Sequence, residues 1–227
     1  MDRPDALLSP SGMPSESAAT TLAPSPTVPS IASHDALSRL LARQSAWPLD
    51  APAPDDAALG IIFDMALRAP DHGRLRPWRF VVIRGEARHA LGQVLVDAAA
   101  GRHPDAGTAV HEGRRQKALA APLIIAMATA TTTATKVPEI EQMMAVGAAA
   151  MNMLNAIHLL GFGGFWATGP DTYDRNVHHA LGFTETEKLA GFLFVGTRRD
   201  AATPVQRPPR ASHVREWLGP SSTRHQA

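Results

Sequence analysis

Five basic side chains crowd one short stretch of the chain. Arg68, His72, Arg74, Arg76 and Arg79 lie in the run RAPDHGRLRPWRF. A guanidinium is a planar fork of donors that fits phosphate and polarised carbonyl oxygens. The stretch lies where a helix gives way to a loop and the loop enters a strand. A solvated basic loop is the competing reading, and residue types alone leave both open.

Other routes to chemistry are poorly represented. The run Gly161-Phe162-Gly163-Gly164 follows a helix and enters a strand, whereas a dinucleotide-binding loop follows a strand and opens a helix. It reads as a helix C-cap and a tight turn. The ten histidines form no His-Glu-x-x-His pattern and no pair at metal-ligand spacing, so no metal site is expected. His178 and His179 are adjacent and point apart on a helix, and read as surface residues. There is no Gly-x-Ser-x-Gly elbow and no Walker-type phosphate loop. The chain has no cysteine, which removes disulfides, thiolate metal ligands and thiol nucleophiles together. That fits a reducing compartment, and a cytoplasmic location is expected.

The elements that must position these residues follow from periodicity. Leu37, Leu40 and Leu41 mark a helix over His34–Gln44, and WPLDAPAP breaks it. Asp55 and Asp56 open a second helix that turns Leu59, Ile62, Phe63 and Ala66 inward, with Pro70 ending it. Strands are expected at Trp78–Ile83, Pro122–Ala128, a short segment ending at Trp166, and Leu189–Thr197. Helices are expected over Glu86–Ala100, up to about Ala120, over Glu139–Leu160 and around Arg175–Leu181. The Glu139–Leu160 segment is nearly all-round apolar, which predicts burial. Strands separated by long helices give a sheet covered by helices on both faces.

Composition sets the outer bounds. The chain has 227 residues, 44% hydrophobic and 19% charged, enough for one domain with a sizeable core. A net charge of +1 gives no reason to expect a nucleic-acid or acidic-membrane partner. No apolar run reaches the roughly 18 residues of a membrane span. Residues 1–33 are rich in Ser, Pro, Ala and Thr and have too little to bury, so they read as a disordered tail. The ordered domain is expected over 34–219, followed by a flexible tail at 220–227.

Five segments in order resemble the nitroreductase family, and within it the minimal YdjA-like branch. They are Arg43-Gln44-Ser45; the block from Ala53 to Ile83 with RAPDH and PWRFVVI; Ala121–Ile125; Lys136-Val137-Pro138 with Glu141-Gln142; and Gly161–Trp166 through Gly191–Thr197. The match covers about residues 36–197. The resemblance implies an α+β fold, an α/β/α sandwich whose mixed, largely antiparallel sheet is flanked by helices, working as a homodimer. It implies flavin mononucleotide (FMN) at the subunit interface, with NADH or NADPH as co-substrate and a nitroaromatic, quinone or similar acceptor reduced by a ping-pong mechanism.

The resemblance also implies the site residues. Arg43, Gln44 and Ser45 would hold the phosphate or ribityl groups, Arg68 and His72 would add flavin contacts, and Trp166, Ala167 and Thr168 would approach the ring. The family pattern has a second arginine where Gln44 stands, so one positive charge is missing opposite the phosphate. Arg207 and Arg210 look like part of a C-terminal arm that carries a phosphate-binding group, with an exposed basic tail as the alternative. No catalytic side chain is required, because the flavin N5 carries the chemistry. The donor for the flavin N1/O2 edge would be Arg68 or Arg43. Arg88 lies outside every matching segment and reads as a plain surface charge. Two alternatives keep the fold: a different reaction, such as flavin fragmentation or dehalogenation, or a non-catalytic flavin-binding protein, to which Gln44 lends weight.

Overall fold

The structure, a computed structural model, describes residues 31–201 and 205–219. The expected tails lie outside the described residues, except that residues 31–33 already belong to the first helix.

Five strands form one sheet. They are β1 (Leu49–Asp50), β2 (Trp78–Arg84), β3 (Leu123–Ala130), β4 (Gly163–Ala167) and β5 (Glu187–Arg198). The order is β1-β5-β3-β2, with β4 also paired to β5. Every pairing among the described residues is antiparallel. The 12-residue β5 is the hub, bonded to β1, β3 and β4.

Side-chain alternation along β3 builds the two cores. Ile124, Ala126 and Ala128 face one way and pack with Leu91, Leu95, Val177, Phe183, Phe192 and Phe194. That layer is covered by α3 (Ala87–Arg102), α4 (Thr108–Leu119) and α6 (Arg175–Ala180). Leu123, Ile125 and Met127 face the other way, against Leu59, Ile62, Met153, Leu154 and Ile157. Those residues come from α2 (Asp56–Ala66) and α5 (Glu139–Leu159). The expected α/β/α sandwich is therefore the observed one, and β3 is buried along almost its whole length because helices cover both faces.

Helix ends follow their caps. The Asp55 carboxylate accepts from the Ala58 N–H at 2.8 Å and starts α2. That helix stops at the Leu67 cap, three residues before Pro70. At the end of α5, Gly161 has φ +89°, Phe162 N–H donates to Ile157 O at 2.9 Å, and Gly161 N–H donates to His158 O at 3.0 Å. This is a Schellman cap, so the Gly-rich run is the turn the sequence suggested.

The first helix, α1 (Ile31–Leu41), begins and ends three residues earlier than its leucine spacing suggested. Its last turn is pinned to the end of α5 rather than continued. Arg39 Nη2 donates to Leu159 O at 2.6 Å, and His158 Nε2 lies 2.8 Å from Arg39 O. Residues 43–45 are thereby released from helix and laid beside the sheet, where Ala46 N–H donates to Gly164 O at 3.2 Å.

Within a single copy, helix α5 is covered only in part: Ile140, Met143, Met144 and Met151 are exposed, while Met153 is fully buried. His178 is buried rather than at the surface, with Nε2 2.7 Å from Thr172 O and Nδ1 3.1 Å from Arg175 Nη1.

Candidate active site

The loop after α2 is held by its own acid. The Asp71 carboxylate accepts from Arg76 N–H at 2.7 Å, and Asp71 O accepts from Arg74 N–H at 3.2 Å. Between them Gly73, Arg74 and Arg76 all have left-handed φ values of 75°, 53° and 51°. Non-glycine residues adopt this conformation only where the surroundings impose it. The loop presents His72 on its exposed side, and His72 Nδ1 lies 2.5 Å from Glu141 Oε2 on α5. That contact fixes one ring nitrogen and leaves Nε2 available. Arg68 is exposed one residue beyond the α2 cap. Arg79 does a different job: Nη1 donates to Arg76 O at 3.0 Å and to Trp78 O at 2.9 Å, and Nε lies 3.2 Å from Glu187.

A larger cavity lies elsewhere, at the end of β4. It has a volume of about 660 Å³, and its walls include Trp47, Phe165, Trp166, Ala167, Thr168 and Lys117. The Trp47 ring meets Phe165 at 5.2 Å and Phe194 edge-on at 4.8 Å. The Trp166 indole is oriented by a bulge in β5. The register slips between Met127 and Ala128, leaving Ala190 unpaired on β5. Trp166 Nε1 donates to the Ala190 carbonyl at 3.2 Å. The bulge needs Gly191 at φ +130°, where a Cβ would stand 2.7 Å from both Ala167 O and Trp166 Nε1.

Lys117 is a cavity residue that sequence reading missed. It is half-buried on α4. Burial pulls its ammonium below the usual lysine value, Arg114 adds to that, and Asp171 opposes it. Nothing in its sequence context marks it, because α4 is an ordinary polar helix until the sheet brings it beside β4.

A second cavity, of about 270 Å³, is lined by Gln44, Ser45, Trp47, Arg198 and Arg199 among others. Trp47 borders both cavities. Beside it, Arg207 Nη2 donates to Arg43 O at 2.8 Å. Burial, and then the Arg207 guanidinium, hold Arg43 below the usual arginine value. Two guanidinium groups drawn together suit an oxyanion. The C-terminal segment therefore reaches the Arg43 segment through Arg207.

The sequence-predicted residues thus fall into three places. Trp166, Ala167 and Thr168 line the large cavity, Gln44 and Ser45 line the smaller one, and Arg68 and His72 stand at the α2–α5 face. Neither cavity is lined by all three sets. No group of three or more metal-ligating side chains occurs among the described residues. No helix among them is long and apolar enough to cross a membrane.

The cavities fit FMN. The larger one has the volume and aromatic lining of a small-molecule site. The smaller one shares Trp47 with it and has guanidinium and hydroxyl groups to receive a phosphate.

Comparison with known proteins agrees with this reading. The nitroreductase family model matches residues 40–197. The Escherichia coli (strain K12) protein named "Putative NAD(P)H nitroreductase YdjA" is 39% identical over 175 residues, covering 77% of this chain and 94% of that protein. Among solved structures, a nitroreductase-like family protein from Bacillus cereus superposes with a TM-score of 0.69 at 19% identity, covering 86% of this chain and 100% of that one. The FMN- and NADPH-dependent nitroreductase NfnB from Sphigopyxis sp. strain HMH does so with a TM-score of 0.67 at 18% identity, covering 81% and 99%. The sandwich, the bulge-oriented Trp166 and the family match over residues 40–197 lead to one conclusion: this chain belongs to the nitroreductase family of oxidoreductases.

Proposed function

We propose that the protein is an FMN-dependent oxidoreductase that transfers hydride from NADH or NADPH to a nitroaromatic, quinone or similar acceptor, by a ping-pong mechanism and as a homodimer. The observation that carries this reading is the 660 Å³ cavity at the end of β4, with aromatic walls and a single half-buried ammonium, Lys117. When bound, FMN supplies a ring that takes hydride from a nicotinamide, gains negative charge and yields the hydride to an acceptor held in the same slot. The chain's own residues need only bind, orient and balance charge.

Trp47, Phe165 and Trp166 offer flat apolar surfaces for stacking. Lys117, rather than Arg68 or Arg43, is the cation within this cavity, and its donors answer the charge that reduction brings. Beyond Trp47, the Ser45 hydroxyl with Arg43 and Arg207 receives the phosphate. Arg68 and His72 then act on the flavin of the partner subunit, which explains why they line neither of these cavities. The apolar stripe on α5 supports such pairing. The FMN and NADPH dependence of NfnB supports the choice of cofactor and reductant.

The test is direct. Pigment released from the denatured protein is expected to run as FMN, and the holoprotein is expected to oxidise NADH or NADPH in the presence of a quinone or nitroaromatic. Recovery of FAD, or no flavin after incubation with FMN, would refute the cofactor. A yellow protein that leaves both nicotinamides untouched would make it a flavin-binding protein without this activity.

A further inference from the structure

The arginine expected beside Arg43 is missing, and Gln44 stands in its place. Tertiary structure brings another guanidinium to the same spot. Arg198, the last residue of β5, lines the cavity that Gln44 and Ser45 line, and its Nη1 lies 3.5 Å from Gln44 O. Its stem is accommodated by Gly163 on β4. A Cβ there would stand 2.9 Å from Arg198 Cγ and 2.4 Å from Leu49 Cδ2.

The Arg198 guanidinium is under-used by the protein. Among the described residues it meets no carboxylate, and the nearby Asp50 is taken by Arg199 at 2.8 and 3.1 Å. Its one side-chain hydrogen bond among the described residues, to Gln44 O, is at the limit of length. Its Nε is buried without a partner. A buried donor with no acceptor is costly, and a guanidinium without a counterion in a cavity that also holds a hydroxyl is poised for an oxyanion.

We propose that Arg198 supplies the second positive charge of the phosphate site, replacing from β5 the charge that Gln44 lacks, and so makes the protein select the phosphorylated flavin over riboflavin. The inference rests on the FMN reading above. It also removes the weight that Gln44 lends to a non-catalytic role, because the charge is relocated rather than lost.

Ligand affinity tests it without recourse to turnover. Apo-protein is titrated with FMN and with riboflavin, following quenching of flavin fluorescence, for the natural chain and for Arg198→Gln, Arg198→Lys, Arg43→Gln and the double variant Gln44→Arg/Arg198→Gln. Arg198→Gln is expected to weaken FMN by roughly 10- to 150-fold, the range of a charge-assisted hydrogen bond. It should leave riboflavin nearly unchanged and flatten the salt dependence of FMN binding. Arg198→Lys keeps the charge and most of the preference. Gln44→Arg restores the preference in the double variant, which guards against Arg198→Gln failing merely by misfolding. An unchanged FMN-to-riboflavin ratio in Arg198→Gln, with Arg43→Gln losing it, overturns the role of Arg198 and leaves the FMN site standing. Failure of the natural chain to bind FMN overturns the reading beneath it.

Discussion

Lys117 sits where a charge is costly. Its folded value is pulled below the unfolded one by burial, so between the two the unfolded chain binds more protons. Stability therefore rises with pH through that window, up to the unfolded lysine value near about 10.4. Lys117→Met should abolish this rise in the apo-protein, as read from melting temperature against pH, without lowering stability at neutral pH. The same change should slow reduction of bound flavin by NADH roughly 10- to 150-fold in stopped-flow, if its ammonium answers the charge on the ring. Arg88 illustrates the opposite case. It looks like a free surface charge, yet Nη1 donates to Ala121 O at 2.8 Å and Nε to Gly85 O at 3.3 Å, tying the start of α3 to the chain entering β3. Arg88→Ala is expected to destabilise the apo-protein by about 1 kcal/mol and leave FMN affinity alone. Arg68→Ala should do the reverse, since Arg68 is exposed and its proposed role is with the flavin. Denaturant melts and FMN titrations of both variants separate the two roles, and matching behaviour would sink the assignment of Arg68.

At the scale of elements, the wall of the large cavity depends on a buried ion network. After Thr168 the chain enters the 3-10 turn Pro170–Tyr173, whose Asp171 is almost fully buried. Arg102 from α3 bonds both Asp171 and Asp174, and Arg114 from α4 donates to Asp171 at 3.1 Å. Asp174 also caps α6 by accepting from Asn176 N–H at 3.0 Å. Three helices and the end of β4 are thus locked through two carboxylates, and Asp171 also bears on Lys117. Removing one member of a buried pair leaves the others uncompensated. Asp171→Ala should therefore lower apo-protein stability by about 3–5 kcal/mol. Arg84→Ala breaks only the exposed pair with Asp56 and should cost less than about 1 kcal/mol. Urea melts compare the two, and equal losses would show that the network does not hold the wall.

At the scale of the whole molecule, a single copy leaves two facts unexplained. Arg68 and His72 stand away from the aromatic cavity, and Ile140, Met143, Met144 and Met151 form an exposed stripe along α5, with Met144 66% exposed. These residues recur at helical spacing, so they form one face. A two-fold partner would cover that face and carry its own Arg68 and His72 to the neighbouring site. Met144→Glu/Met151→Glu places charge only on the exposed side of α5, so the fold should survive, as judged by circular dichroism. Sedimentation should shift toward a monomer at micromolar concentration, and flavin content should fall with it. A variant that remains a flavin-loaded dimer would contradict the proposed interface.

Periodicity alone determined most elements of this protein. The apolar run of β2, the long apolar α5 and the Gly161 cap were legible because each is a local matter of side-chain type, spacing and backbone freedom. The ordered motifs RQS, RAPDH and GFGGFW likewise marked the family, because short-range order of residue types survives in sequence. Tertiary structure alone decided the rest. It buried His178, gave Arg88 a structural task and laid an exposed stripe along a helix that looked uniformly apolar. It also brought Lys117 from α4 and Arg198 from β5 to the cavities that Trp47 borders. The physical reason is sequence distance. Lys117 and Thr168, or Gln44 and Arg198, meet only because antiparallel pairing folds β4 and β5 together and lays residues 43–48 beside them, and no local pattern records which distant charge will arrive there.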